Sequence, residues 1–249
     1  MRLQVLGGCG AWPGAGQACG GYLVESDGFH LLIDPGYATL PRLLECISAE
    51  RVDGVLISHG HPDHCADLHP LLRARALREN PSPALAVHTL PKAVDRVLAL
   101  DRPGLLEDAY AIHEFAEGDR FEIGPFRVET WPLPHSVPNA GIRLSTGAQI
   151  LAYTGDTGPS PHLEALAHNA DIYIAEATFP EQVPADSAEY LSSALQAAQV
   201  ATRASVRQLM LTHLLPGADP DAAKRAARRG YDGTTTVART GLIVDLDSV

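Results

Sequence analysis

The chain has 249 residues, a formal net charge of −11, and 45% hydrophobic against 20% charged residues. That balance is globular and excludes disordered, collagen-like and coiled-coil chains. A chain this long buries roughly three quarters of its extended surface without disulfide staples. With Lys92 and Lys224 its only lysines, it has no global field for gripping a polyphosphate backbone, so non-specific nucleic-acid binding is not expected.

Short apolar, β-branched runs closed by Gly, Pro or Asp predict strands at Arg2–Leu6, Gly21–Glu25, His30–Asp34, Gly54–Ser58 and Ala84–His88. Helical periodicity runs over Leu40–Ala49, Ala66–Glu79 and Lys92–Leu100. A hairpin-like pair follows over Arg120–Glu122 and Phe126–Trp131, then strands at Gly141–Ser145 and Gln149–Thr154 around a turn at Ser145-Thr146-Gly147-Ala148. Later strands are Asp171–Ala175, Gln208–Thr212 and Leu242–Leu246, with helices at Pro161–His168, Ala188–Arg203 and Pro220–Arg229. The last helix opens Asp219-Pro220-Asp221, a cap with proline in the first turn. Strands and helices thus alternate in two batches, roughly 1–125 and 126–249, with no linker between them. One α/β domain over residues 1–249 is the expectation.

Cys9, Cys19, Cys46 and Cys65 form no C-x-x-C pair and are read as reduced. The N-terminal apolar run is too short for a signal peptide, and no run approaches the ~18 apolar residues of a membrane span. A cytoplasmic protein with no membrane partner is expected. The loop Gly7-Gly8-Cys9-Gly10-Ala11-Trp12-Pro13-Gly14 fails the dinucleotide pattern because Pro13 stands at the third glycine. Neither lysine follows a glycine, so a phosphate-binding loop is excluded as well. A tight turn is expected there, with a backbone-amide nest as the functional alternative.

The strand Gly54–Ser58 runs into His59-Gly60-His61-Pro62-Asp63-His64. Three imidazoles and a carboxylate in six residues are not a core pattern, because their polar atoms could not all be satisfied in hydrocarbon. In an extended segment i and i+2 point the same way, so His59 and His61 can grip one ion while Asp63 and His64 turn toward a second. Imidazole with carboxylate suits zinc at ~2.0–2.2 Å, with manganese or iron as alternatives. Three more metal-type residues stand at strand ends: His135 after Trp131-Pro132-Leu133-Pro134, Asp156 in Tyr153-Thr154-Gly155-Asp156-Thr157, and His213 after Leu209–Thr212. Of the remaining histidines, His162 and His168 read as solvated and His30 as packed and hydrogen-bonded. His88 and His113 could approach a site only if the fold brings them there. Cys65 reads as a small buried residue, Asp67 as a first-turn helix residue, and Asp34 before Pro35-Gly36 as a turn residue.

The set resembles the metallo-β-lactamase superfamily, whose H-x-H-x-D-H motif is matched by His59, His61, Asp63 and His64. His135, Asp156 and His213 follow in the family's order. The resemblance implies a four-layer αββα sandwich with two mixed sheets flanked by helices. It implies two divalent ions, one held by His59, His61 and His135 and the other by Asp63, His64 and His213, with Asp156 bridging. Asp63 and Asp156 are the expected catalytic carboxylates, and Asp34 matches a carboxylate that orients a ligand imidazole. The expected chemistry is hydrolysis by a metal-bridging hydroxide.

Within the family, Leu6-Gly7-Gly8-Cys9-Gly10 and Glu176-Ala177-Thr178-Phe179 resemble the phosphodiesterase and ribonuclease Z-like branch. Two departures stand out. Leu191 in Leu191-Ser192-Ser193 replaces the histidine that assists at the scissile phosphate, and only twenty residues separate His135 from Asp156, which leaves no tRNA-gripping arm. A small phosphodiester, a cyclic nucleotide among the options, is therefore the expected substrate, with RNA less favoured and a homodimer allowed. The alternatives are ribonuclease Z-like RNA 3′-processing, or a sulfatase, lactonase or thioesterase on the same centre. The role of Glu176 is left open by the sequence.

Overall fold

A computed structural model describes residues 1–147 and 149–246; Ala148, in the turn predicted over Ser145–Ala148, lies outside the described residues. In chain order the elements are β1 (Arg2–Cys9), β2 (Ala18–Cys19), β3 (Gly21–Ser26), β4 (Phe29–Ile33), α1 (Thr39–Leu44), β5 (Gly54–Leu56), α2 (Pro62–Cys65), α3 (Leu68–Ala76), β6 (Leu85–Thr89), α4 (Asp95–Leu98) and β7 (Tyr110–Glu114). There follow β8 (Arg120–Ile123), β9 (Phe126–Leu133), β10 (Asn139–Thr146), β11 (Gln149–Tyr153), α5 (His162–Ala167), β12 (Ile172–Glu176), α6 (Ala194–Arg203), β13 (Gln208–Thr212), α7 (Pro220–Ala227), β14 (Thr234–Val237) and β15 (Ile243–Asp245).

These strands form two mixed sheets. One runs β15-β1-β3-β4-β5-β6-β7, with β2 paired to β1, and the other β14-β13-β12-β11-β10-β9-β8. In each, antiparallel pairing gives way to a parallel run, β4 to β7 in the first and β11 to β14 in the second. Parallel strands need crossovers, and the helices provide them. The inner faces meet in a core where Leu3, Val5, Tyr22 and Ile33 oppose Phe126, Val128, Ile142 and Met210. On the outer face of the first sheet Leu43, Leu68, Leu71 and Leu72 cover Leu32, Val55 and Val87. On the second, α6 and α7 lie close because Ala197, Ala198, Ala201, Ala223 and Ala226 present little more than methyl groups. Helix, sheet, sheet and helix make the four layers of the metallo-β-lactamase fold.

Several elements differ from the sequence reading. β7 and β14 were not expected, and α1, α3 and α4 are shorter than their periodic patterns. The helix expected from Ala188 starts at Ala194, where Ser193 accepts the Gln196 amide and the Gln196 side chain accepts the Ser193 amide. The sheets also do not divide at residue 125. β8 already belongs to the second sheet, and β15 returns to pair with β1 (Leu3 opposite Val244). Asp67 precedes α3 and turns its carboxylate to the Leu40 amide of α1, 2.7 Å away, so it serves the neighbouring helix.

Candidate metal centre

The parallel strands β4, β5, β11, β12 and β13 end at one edge, and their following loops carry the site. His59 lies just past β5 and bridges to Asn139 of β10, which brings the first sheet's loop against the second. His61 stands at the N-cap of α2, and Pro62 starts the helix so that Asp63 and His64 turn inward on its single buried turn. His135 follows β9, Asp156 follows β11 and His213 follows β13. The last takes a left-handed φ of 62° and donates its amide to the Gly8 carbonyl at 2.9 Å.

All seven residues converge in two clusters that share Asp156. Ligand-type atoms of His59, His61, His135 and Asp156 lie within 4.8 Å of one another, and so do those of Asp63, His64, Asp156 and His213. Asp156 Oδ2 is 3.0 Å from His213 Nε2, 3.7 Å from His59 Nε2 and 3.8 Å from His135 Nε2, while Oδ1 is 3.2 Å from His64 Nε2. Asp63 Oδ2 is 3.3 Å from His213 Nε2 and accepts the Ala11 amide at 2.8 Å, so the glycine turn does supply one amide to the centre.

The hydrogen bonds fix four imidazole tautomers. His135 Nδ1 faces the Tyr190 carbonyl at 2.9 Å, and His64 Nδ1 faces Asp34 Oδ2 at 2.9 Å; both partners can only accept, so each Nδ1 carries the proton. Thr178 Oγ1 donates to Glu176 at 2.6 Å and therefore accepts from His213 Nδ1 at 2.8 Å. Ser58 Oγ donates to Asp34 at 2.5 Å and accepts from His59 Nδ1 at 3.0 Å. Every one of these rings thus turns its Nε2 inward. Nε2 of His59, Nε2 of His64 and Oδ1 of Asp156 are buried without a hydrogen-bond partner. His61 adds Nδ1, 3.0 Å from His135 Nε2. Converging buried nitrogen and oxygen atoms without partners are what a cation site needs and what a hydrogen-bonded core avoids.

The field points the same way. Burial opposes ionisation of Asp156, yet His213 and His64 outweigh it and hold its carboxyl well below the usual range. Burial likewise opposes a charge on His213, but Asp156 and Asp63 push its pKa up to about 10. The carboxylates draw positive charge into the cup. Divalent cations fit this donor set of imidazole and carboxylate.

Asp34 is placed otherwise. Its oxygens accept the Ser58 amide and hydroxyl, the Tyr153 hydroxyl and His64 Nδ1, so its lone pairs are engaged in holding other groups. Cys65 is buried and burial raises its thiol to about 12, so it offers no thiolate. His88 and His113 stack on each other at 4.8 Å along β6 and β7, and His88 stacks on Phe121. His162 and His168 are exposed, and His30 is buried beside Arg51 and Asp53.

Glu176, at the end of β12, braces the centre. It accepts the Thr157 amide beside Asp156, the Thr178 hydroxyl behind His213, and the Ser192 amide two residues beyond Tyr190. Burial, then Asp156, pushes its pKa up to about 7. Asn139 was missed from sequence: its side-chain amide donates to the carbonyls of Thr154 and Asp156. Gly155 makes room for it at a φ of 59°, since a Cβ would fall 2.4 Å from Asn139 Oδ1. The Tyr190 carbonyl was missed too, as a backbone group leaves no mark in a sequence.

A family model described as the beta-lactamase superfamily domain matches residues 30–214, which include all seven clustered residues. The chain belongs to the beta-lactamase superfamily. Within that superfamily, the probable metallo-hydrolase YhfI of Bacillus subtilis is 29% identical over 247 residues, spanning 98% of this chain and 99% of its own. A crystal structure of YhfI, a metallo-β-lactamase fold protein, gives a TM-score of 0.89 at 27% identity, with 98% and 99% of the two chains covered. A ribonuclease Z of Methanopyrus kandleri is 30% identical over 280 residues, covering 98% and 97%. The human short-form tRNase Z shares the fold, with a TM-score of 0.79 at 22% identity over 99% of each chain. Among the described residues no helix is long and apolar enough to cross a membrane.

Proposed function

We propose that this chain is a metal-dependent hydrolase with a binuclear centre that cleaves a small phosphodiester. The observation that carries the reading is the pair of ligand clusters meeting at one carboxylate, Asp156. His59, His61 and His135 would hold one divalent ion and Asp63, His64 and His213 the other, with Asp156 shared and Asp34 orienting His64. The imidazole-rich set favours zinc, with manganese or iron as alternatives. When bound, such ions acidify water and neutralise charge on phosphoryl oxygens.

The protein's own groups do the rest. Asp156, held ionised, can accept a hydrogen bond from an attacking water through a carboxylate oxygen. Asp63 is anchored by the Ala11 amide. The Glu176 brace keeps the Asp156, His213 and Tyr190 loops in register. Leu191, in the place of the assisting histidine, brings no proton donor, which favours a leaving group that departs without one. The two sheets share one core, which supports reading residues 1–249 as one domain. The names of its relatives, metallo-hydrolase and ribonuclease Z, support hydrolysis and keep RNA 3′-processing as the second reading.

Metal analysis of the purified protein should approach two ions per chain, and chelation should abolish turnover. Bis(4-nitrophenyl) phosphate, a 3′,5′-cyclic nucleotide and 4-nitrophenyl sulfate, assayed in parallel, should rank both diesters above the sulfate. Full activity with one ion, or a preference for the sulfate, would overturn the reading.

A further inference from the structure

We propose that the cleft behind the glycine turn is a second ligand site, shaped for a small organic phosphate of the nucleoside monophosphate class. The inference does not rest on the reaction proposed above. The cleft has a volume of about 590 Å³, within the range of pockets that hold nucleotide-sized ligands, ~300–1,000 Å³. It lies past the C-terminal ends of β13 and β14, between Gly8-Cys9 on one side and Lys224 of α7 on the other.

One wall is shared with the metal centre. Gly8, Cys9 and Leu214 line the cleft, and the Gly10 amide donates to the Leu214 carbonyl at 3.1 Å. Gly10 itself packs so tightly on the His213 ring that a Cβ would fall 2.6 Å from its Nδ1. A single stretch of backbone therefore separates the two.

Among the described residues no Asp or Glu lines this cleft, while Lys224 and Arg239 both do. Lys224 Nζ is 2.6 Å from Asp221 Oδ1, a carboxylate whose side chain is 68% exposed, so an incoming phosphate competes with a solvated partner. The start of α7 is not the anion holder, because Asp219 already caps it through the Asp221 amide. Leu214, Val237 and Leu242 supply an apolar surface for the body of the ligand. Two cations and an adjoining apolar surface together describe a phosphate monoester on a small organic group.

The probe is 5′-AMP, titrated by calorimetry into the metal-loaded full-length protein. Binding should weaken about tenfold in Lys224→Gln and in Arg239→Gln, the scale of one lost charge-assisted hydrogen bond. Metal content and unfolding temperature should not change in either variant. Adenosine, which lacks the phosphate, should bind at least tenfold more weakly than 5′-AMP. Absence of 5′-AMP binding at millimolar concentration overturns the proposal. So does binding that both cation variants leave intact, which would place the nucleotide at the metal centre instead. Because the readout is binding, it holds whatever reaction the centre performs.

Discussion

Removing one carboxylate should undo both halves of the centre at once. Asp156 lies 3.0–3.8 Å from the Nε2 atoms of four imidazoles drawn from both clusters. Asp156→Ala should therefore lower metal content and turnover together. His113→Ala, on an exposed strand outside the clusters, should spare both and cost no more than about 1 kcal/mol in stability. Equal damage from the two would mean that the clusters are not the centre. A second residue-scale expectation concerns His88, whose pKa is lowered to about 4 by burial and then by His113. The unfolded chain takes up that proton near 6.5 and the folded chain only near 4, so protonation favours unfolding. Stability should hold above about pH 6.5, fall between 6.5 and 4, and level off below. The ring is only partly buried, so screening reduces the loss to roughly 1–2 kcal/mol. Urea unfolding of His88→Phe at pH 7 and 4.5 should show a correspondingly smaller loss than the parent chain; an equal loss sinks the assignment. At this scale the clustered residues were legible because His and Asp crowd one short motif and recur at strand ends, where a hydrophobic core would not place them. Asn139 and the Tyr190 carbonyl were not, since each acts only through a tertiary contact.

The start of α6 joins an element's stability to the site. Ser193 and Gln196 form a reciprocal cap, one residue after the Ser192 amide that Glu176 accepts. Ser193→Ala should cost about 1 kcal/mol in urea unfolding, the usual worth of such a cap. An unchanged midpoint would show that the helix is held by its alanine face alone. The sequence pointed to this helix but began it six residues early, because the 3.6-residue periodicity does not reveal that the polar stretch before it is occupied by turns. Buried strands such as β4 and β12 were readable from their continuous apolar runs. β14 was not: Thr234-Thr235-Thr236-Val237 is an edge strand held by its backbone pairing to β13, and threonines beside glycine resemble a turn. β7 escaped for the same reason, since most of its side chains face solvent.

For the whole molecule, periodicity alone supported two αβ batches, and it was the resemblance to the metallo-β-lactamase superfamily that implied two sheets with the site at one edge. Neither could reveal that β15 crosses back to pair with β1. The same global view bears on substrate size. His135 and Asp156 are joined by β10 and β11, which leave no inserted arm to supply remote binding energy for a folded RNA. Leu191 offers no group to the reacting phosphate, and a net charge of −11 works against long-range capture of a polyanion. Losing a catalytic acid costs about 10²–10⁴-fold, but much less when the leaving group is an aryl oxide that needs no proton. Bis(4-nitrophenyl) phosphate should accordingly show a higher kcat/KM than removal of a 3′ trailer from precursor tRNA at the same ionic strength. The RNA reaction should also fall steeply as salt is raised, because it depends on the phosphate contacts that remain. If trailer removal proves the more efficient reaction, the missing arm and Leu191 do not set the specificity, and the ribonuclease Z reading replaces the small-diester one.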